Sequence, residues 1–408
     1  MSTTTTLVHR PYDGPEEWWR HALVYEFFSP DLGPTELRRS DSVLDHIASL
    51  GFDTVLLRPS LVDPVTQMSA VAGVIARAHE RGLRAIVRVS GALGPITGPH
   101  AGQHTAYLAG VERPGEDILR RAEGYLRAGA DGIDLGTIVP PSVTRQTDLG
   151  TLSRYVATLH GLVAEYTEDG VVGADVTADH PDSLRHHLQD DWVHHLRDDR
   201  LTLARWDPDS MTAHLTQSFD ERSRFGTPPS WRFMPPHALL EELDPGDGMR
   251  WYATDPAERL QRATALQSMM LALPGSVYLR QGDEIAIADA DKPSDPLALA
   301  DLVTSLAQEQ HSAVGSPVAT VRHATHVRRE HGLASAPMAF VTGLEWSTPK
   351  ALTFLSRDVL VLVNMSDTSL ALPAEARVLL SSQSLGQDEG RLLVPPTTAV
   401  WLEAVTVA

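Results

Sequence analysis

The fold of this chain is decided by residues Thr54 to Ser90, TVLLRPSLVDPVTQMSAVAGVIARAHERGLRAIVRVS. A short apolar run, TVLLR, is followed by an amphipathic stretch from about Ala70 to Glu80 and then by a second apolar run, RAIVRVS. Gly82 separates the amphipathic stretch from the second run. A strand, a helix and a strand at this spacing predict a parallel βαβ unit.

The same alternation continues on both sides of this unit. Strands are predicted at Leu23–Phe28, Asp131–Gly136, Val171–Val176, Leu201–Arg205, Trp231–Met234 and Ser276–Leu279, which brings their number to eight. Right-handed crossovers between parallel strands leave a closed barrel or a doubly wound sheet. Because the chain has no GxGxxG after its first strand and no GxxxxGK[ST] motif, the nucleotide-binding, doubly wound fold is disfavoured. We therefore predict a (β/α)8 TIM barrel.

A different pattern begins near Ala336. The runs ALTFL, DVLVLVN, ARVLL, GRLLV and TAVWLEA are short and are separated by Gly, Pro, Asp and Ser, which is typical of a small all-β domain. The prediction is a barrel over residues 1–335 and a C-terminal β-sandwich-like domain over residues 336–408. The length of 408 residues suits this division, since such barrels take roughly 250 residues or more.

The composition of the chain restricts the kinds of molecule that it is expected to bind. The net charge of −19 disfavours nucleic acid and anionic membrane surfaces, and it is compatible with a neutral ligand such as a sugar. Cysteine is absent, so neither a disulfide nor a thiolate metal site is possible. The start of the chain does not resemble a signal peptide, and no apolar run is as long as a membrane span. We expect a cytoplasmic protein with no membrane insertion.

Several motifs resemble one known family. The stretch WWRHALVYEFF (Trp18–Phe28) resembles the opening strand of α-glucosidases and oligo-1,6-glucosidases in the α-amylase superfamily, glycoside hydrolase family 13. LDHIASLGFDTVLLRP, AHERGLRAIVRV and GYLRAGADGID resemble its next helices and strands in order. The best match is LALPGSVYLRQGDEI (Leu271–Ile285), which is similar to the eighth strand and the LPGxxYxxQGxE motif, to which we assign a structural role. VLVLVN and RLLVPPTTAVWLEA resemble the family's C-terminal β-domain.

Two family segments are reduced in this sequence. The loop after the second strand shrinks to Ser60–Ser69, and the place of the family's domain B is taken by Gly91–Gly110. The resemblance therefore implies a barrel with reduced loops, no domain B and an open, shallow catalytic face. The family's acidic calcium loop has no counterpart in SPDLGPTELRRS, and the histidine pairs lack the HExxH spacing. We expect no metal and no cofactor.

The family's catalytic carboxylates are missing from the positions that the resemblance assigns. Retaining glycosidases need two carboxyl groups about 5–5.5 Å apart. The nucleophile position is Gly136, the acid/base position is Ala174 and the position of the third carboxylate is His237. A shift of one residue would place Asp175 at the acid/base position, but such a shift reverses the face of the strand.

Three functions follow as hypotheses. The first is a pseudo-glycosidase that acts by binding, regulation or assembly, with an unknown protein partner or as a homo-oligomer, and with a neutral sugar as a further candidate ligand. The second is an α-glucoside hydrolase or transglycosylase with a rearranged active site. The third is a carbohydrate-binding sensor.

Five residues at strand ends are candidates to line a pocket: Arg58, Arg88, Asp134, Asp175 and His237. Relative to the family, Arg88 and Asp134 exchange the residue types of the third and fourth strands. Because a lone buried charge is strongly unfavourable, this reciprocal exchange predicts an ion pair between them inside the barrel.

Overall fold

The computed structural model describes most of the chain. The described residues are 2–27, 32–59, 61–63, 66–89, 114–137, 149–176, 184–185, 187–188, 193–198, 200–232, 255–287, 291–313 and 315–406.

Eight parallel strands form a closed barrel, in which each strand pairs with the next and the last pairs with the first. Numbered after a first strand outside the barrel, β1 (Thr4–His9), they are β2 (Leu23–Phe27), β3 (Thr54–Leu57), β4 (Arg84–Arg88), β5 (Gly132–Thr137), β6 (Val171–Val176), β7 (His195–Asp198), β8 (Ser230–Arg232) and β9 (Ser276–Arg280). The predicted (β/α)8 barrel is confirmed.

Ten α-helices lie in the described residues. They are α1 (Pro34–Arg38), α2 (Asp41–Ser49), α3 (Met68–Glu80), α4 (Pro114–Arg127), α5 (Leu149–Tyr166), α6 (Arg200–Leu203), α7 (Pro208–Ser223), α8 (Pro256–Leu271), α9 (Pro296–His311) and α10 (Pro317–Glu330). Each of the last four begins with proline after a capping Asp or Ser whose side chain accepts a backbone N–H bond. This pairing is favourable because proline has no N–H to satisfy at the first helical position.

The main core lies between the barrel and its helices. Outward-facing strand residues such as Val55 and Val87 are fully buried there together with Val71 and Val74 of α3. None of the helices in these described ranges is long and apolar enough to cross a bilayer.

One predicted strand is wrong. The sixth barrel strand was expected at Leu201–Arg205, but the strand is β7 (His195–Asp198), and α6 begins two residues after it. The inward-facing side chains of β7 are His195 and Arg197, so the strand has no apolar run to mark it in the sequence. LTLAR has the apolar pattern, but most of it is helical.

The C-terminal part is antiparallel and all-β. Six strands form one sheet in the order β1-β10-β11-β12-β17-β14, and three form a small sheet in the order β13-β16-β15. The new strands are β10 (Met338–Thr342), β11 (Ala351–Ser356), β12 (Val359–Asn364), β13 (Leu370–Ala371), β14 (Val378–Ser381), β15 (Gly386–Asp388), β16 (Arg391–Val394) and β17 (Thr398–Glu403). Residues of both sheets share a second apolar core that includes Leu362, Leu372 and Val394.

The division at residue 335 differs from the structure in one respect. Strand β1 pairs antiparallel with β10, from Thr4 opposite Thr342 to His9 opposite Met338. The start of the chain therefore belongs to the C-terminal sheet. Its sequence, TTTLVH, offers the β-branched residues that suit a strand, but nothing in it indicates a partner more than 300 residues away.

Candidate functional site

The interior of the barrel has two layers. The lower layer contains the apolar cluster Val24, Leu56, Ile86, Val171 and Tyr278, and the polar side chain of His195 lies against it. The upper layer lies nearer the carboxyl ends of the strands, where barrel enzymes carry their catalytic residues. In this protein the upper layer is charged, and its charged side chains contact one another.

Arg88 of β4 and Asp134 of β5 form the predicted ion pair. The two residues lie opposite each other in neighbouring strands, and Arg88 Nε donates to Asp134 Oδ1 at 2.6 Å. The two side chains are 1% and 0% exposed, so water does not screen the pair. Arg88 Nη2 also donates to Asp175 Oδ2 of β6, at 3.0 Å. The prediction is confirmed, but the pair is part of a larger network.

A second arginine, Arg197 of β7, bridges the same two carboxylates. Its Nε donates to Asp175 Oδ1 at 2.5 Å, and its Nη2 donates to Asp134 Oδ2. Two arginines and two aspartates thus close a ring of alternating charge. The guanidinium of Arg197 also lies over the ring of Tyr278, 4.3 Å from its centroid.

A third arginine extends the network across the barrel. Arg232 of β8 donates from Nη1 to Asp175 at 2.8 Å and from Nη2 to Glu26 of β2 at 2.5 Å. The network therefore holds three guanidinium groups and three carboxylates, all buried. At neutral pH the six charges sum to zero, which is how a barrel interior can hold so many of them.

The pKa values of the two aspartates follow from this packing. Burial by itself raises the pKa of Asp134, but attraction to Arg197 and Arg88 outweighs it and lowers the pKa below its ordinary value. Burial also opposes the charge of Asp175, and attraction to Arg197, Arg232 and Arg88 holds its pKa far below the usual range. Neither carboxyl group can carry a proton near neutral pH.

Comparisons with known proteins bear on the fold. Residues 353–401 match the family described as a domain of unknown function, DUF3459, which occurs at the C-terminus of α-amylase-family enzymes. The chain matches none of the curated protein sequences. It is similar in structure to the α-glucosyl transfer enzyme XgtA, with 15% identity, a TM-score of 0.64, and coverage of 95% of this chain and 99% of that chain.

Two further structures are similar to the same extent. One is an α-amylase from H. orenii, with 14% identity, a TM-score of 0.66, and coverage of 94% of this chain and 99% of that chain. The other is the trehalose-6-phosphate hydrolase of Bacillus licheniformis, with 14% identity, a TM-score of 0.64, and coverage of 95% and 99%. The chain has the α-amylase-type fold.

Gly136, the predicted counterpart of the nucleophile in the α-amylase-type fold, has a defined backbone role. Its φ is +68°, in the left-handed region that favours glycine. Strand pairing with β6 is irregular between Asp134 and Thr137, and the Gly136 N–H donates to Asp134 Oδ1 at 2.9 Å. The backbone turns here so that it contributes a further hydrogen bond to the ionic network.

Ala174, the predicted counterpart of the acid/base, does not face the barrel interior. It packs with Val172 in the core between the barrel and the helices, whereas Asp175 points inward to the arginines. The Ala174 side chain therefore does not point into the barrel, and its assignment as the counterpart of the acid/base stays a prediction. Because side chains alternate along a strand, the inward-facing carboxyl group of β6 is that of Asp175.

Two predicted pocket residues remain, Arg58 and His237. Arg58 is buried at the end of β3. His237 lies outside the described residues, as does the loop Gly91–Gly110. The openness of the catalytic face depends on that loop and stays a prediction.

Arg197, Arg232 and Glu26 were not among the five residues predicted to line the pocket. Each lies at an alternate position of a short strand, in HLRD, SWR and LVYEF, although HLRD was not recognised as a strand. Charged residues at alternate positions of a barrel strand face either solvent or the interior. The helices of an α/β barrel cover the outer face of its strands, so charged side chains of the strands are expected to point into the barrel interior.

His195 lies directly below the charged layer. Its Nε2 is 2.5 Å from the Trp19 carbonyl oxygen, which can only accept, so Nε2 carries the proton and Nδ1 accepts from the Tyr278 hydroxyl at 2.5 Å. Burial lowers the pKa of His195 to about 3. The imidazole is therefore neutral, and it adds no charge to the balanced network above it.

Glu284 of the QGDEI motif lies apart from the network and links three elements. It accepts from the Tyr25 hydroxyl of β2 at 2.6 Å and from the Gly282 N–H at 2.8 Å, and it contacts His46 Nε2 of α2 at 2.9 Å. These contacts join the end of the last strand to the first one. They support the structural role assigned to this motif. In the described part of the chain, no group of three His, Asp or Glu residues is arranged to hold a metal ion.

Proposed function

We propose that this chain is a non-hydrolysing relative of the α-amylase-type enzymes that acts by binding, regulation or assembly. One observation carries the proposal: both aspartates at the catalytic end of the barrel are engaged by arginines on more than one side.

The chemistry of glycoside hydrolysis supports this proposal. One carboxyl group must donate a proton to the leaving oxygen, which requires a raised pKa, and a second must be free to attack the sugar. Asp134 and Asp175 have lowered pKa values and therefore hold no proton to donate. The lone pairs that would attack a sugar accept hydrogen bonds from guanidinium groups instead.

A hydrolase or transglycosylase with a rearranged site is the second candidate. It is favoured by the presence of Asp134 and Asp175 on neighbouring strands, near the strand ends where barrel enzymes keep their catalytic groups. The similar structures are an amylase, a glucosyl transfer enzyme and a trehalose-6-phosphate hydrolase. A sugar would have to displace arginines for this site to work.

Partner and location belong to the same proposal. We infer a protein partner or a second copy of the chain, in the cytoplasm, with a neutral sugar as a further candidate ligand. The acidic surface, net charge −19, favours a partner with a basic or neutral contact face.

The direct test is an activity assay. Purified protein is incubated with maltose, isomaltose, trehalose and aryl α-glucosides, and glucose release is measured. Turnover on the order of 1 s⁻¹ or more, which is ordinary for enzymes, would contradict the proposal. An Asp175→Asn control identifies contamination, because activity from this site would fall in the variant and contaminating activity would not. A thermal-shift screen with oligosaccharides tests the sensor hypothesis, since a ligand of the folded state raises the melting temperature.

A further inference from the structure

A second polar site lies outside the barrel, between its last two helices and the C-terminal sheet. The cavity has a volume of about 460 Å³ and is lined by the end of α9, the first turns of α10 and strand β14. This volume lies within the range of small-molecule sites, roughly 300–1,000 Å³. It is independent of the ionic network and of the function proposed for the barrel.

Among the described residues that line this cavity, Arg322 is the one with a permanent charge, and the imidazole rings of His311 and His323 lie beside it. The chain as a whole carries 53 acidic residues against 34 lysines and arginines, so a wall without acids is a local exception. Hydroxyl groups of Ser312, Thr320 and Ser381 line the same cavity.

Arg322 contacts a histidine and a backbone carbonyl group. Its Nη1 lies 2.8 Å from His311 Nε2 and 3.0 Å from His311 Nδ1, and its Nη2 donates to the His311 carbonyl oxygen at 3.2 Å. Within the described residues it forms no ion pair with a carboxylate. A guanidinium is always cationic, so its positive charge is not compensated where it borders the cavity.

The groups next to Arg322 fix the shape of the cavity wall. His323 Nε2 donates to the Leu379 carbonyl oxygen of β14 at 2.8 Å, which fixes the ring at the wall of the cavity. Residues of the first two turns of α10, from Ala319 onward, form the same wall. The carbonyl groups at the C-terminal end of α9 bring partial negative charge to this wall, and Arg322 donates to one of them, that of His311.

We propose that this cavity binds a small molecule that carries a phosphate group. A guanidinium has five N–H donors, and those of Arg322 that do not point to His311 can donate to a phosphate oxygen, with His311 and His323 beside it. The cavity is larger than a phosphate ion, and its hydroxyl groups suit a polar remainder of the ligand. A bound ligand would contact both the barrel's last helices and the C-terminal sheet.

The test is isothermal titration of the full chain with inorganic phosphate and, separately, with glucose 6-phosphate, at low and constant ionic strength. We expect saturable binding at one site for at least one probe. Arg322→Gln should weaken it at least about tenfold, because hydrogen bonds between charged groups are the strong ones. The matched control is Arg127→Gln, which removes the same charge from an exposed position on α4.

The outcomes separate cleanly. Tighter binding of glucose 6-phosphate assigns the site to a phosphate ester, and equal binding assigns it to the phosphate group alone; both support the proposal if Arg322→Gln loses affinity and Arg127→Gln does not. Absence of saturable binding, an unchanged affinity in Arg322→Gln, or equal losses in both variants would overturn it. Circular dichroism checks folding, and His323→Gln replaces Arg322→Gln if the latter does not fold.

Discussion

The substitution Asp134→Asn tests whether the barrel depends on its balanced interior charge. Asp134 is fully buried and accepts hydrogen bonds from Arg88, Arg197 and the Gly136 N–H. Asparagine keeps the size of the side chain and one oxygen, but it removes the negative charge and presents an NH2 group to two guanidinium groups. The variant would hold three arginines against two carboxylates, Glu26 and Asp175.

The expected cost is large because water cannot screen the unbalanced charge. Removing one partner of a buried ion pair destabilises proteins by about 3–5 kcal/mol, and here one carboxylate serves two arginines. A loss of this size is a substantial part of the roughly 5–15 kcal/mol by which native proteins are stable. We therefore expect Asp134→Asn to be folded only marginally, or to accumulate poorly.

Urea unfolding followed by far-ultraviolet circular dichroism measures the effect. The matched control is Glu123→Gln, which removes a carboxylate from an exposed ion pair with Arg127 of 2.5 Å. Its midpoint should hardly change, since exposed pairs contribute little. A second comparison combines Arg88→Met with Asp134→Leu, which keeps the interior neutral.

The neutral double variant should be more stable than Asp134→Asn, although it alters one more side chain. This order follows because well-packed apolar residues can replace a buried pair at little cost, whereas a lone charge cannot be tolerated. A loss below about 1 kcal/mol for Asp134→Asn, which is the level of an exposed pair, would refute the reasoning. So would a double variant that is less stable than the single one.

Three further predictions concern positions around the network. In the folded protein the pKa of His195 is lowered to about 3, so its stabilising contribution is complete above the unfolded pKa of about 6.5 and is lost as pH falls. His195→Gln should therefore reduce the slope of the unfolding free energy against pH by up to about 1.4 kcal/mol per pH unit between pH 6 and 4. Urea unfolding at several pH values measures this slope. Gly136→Ala should destabilise by about 1–2 kcal/mol in the same assay because φ is +68°, and Gly136→Asp should yield no glucosidase turnover. Glu284→Gln should cost about 1.5–3 kcal/mol, because the Tyr25 hydroxyl and the Gly282 N–H would lose a charged acceptor; an unchanged midpoint would contradict the structural role of this residue.

The barrel was predictable because its strands are apolar on their outer face and separated by helical stretches of regular length. The prediction failed at β7, where His195 and Arg197 point inward and remove the apolar signal. The same cause hid part of the site. Arg88 and Asp134 were found because two strands exchange residue types relative to a known family, but no such exchange marks Arg197 or Arg232.

The face of a strand was the harder problem. Ala174 and Asp175 differ by one position, and the sequence alone does not say which of them points into the barrel. The structure decides it through packing, since Ala174 contacts the helix layer and Asp175 contacts the arginines. The pairing of β1 with β10 could not be predicted from the sequence either, because it depends on a contact between residues more than 300 positions apart.

The charged interior and glycoside hydrolysis place opposite demands on the same strand ends. A retaining hydrolase keeps one carboxyl group free to attack and another protonated, and it leaves space between them for a sugar. This barrel has as many guanidinium groups as carboxylates in its network, and Asp134 and Asp175 are each held by arginines from different strands. Freeing either aspartate would take one of two carboxylate partners from at least two arginines, at the cost of buried positive charge that is less well compensated. The ionic network and the exposure of its aspartates therefore place opposing demands on the same residues.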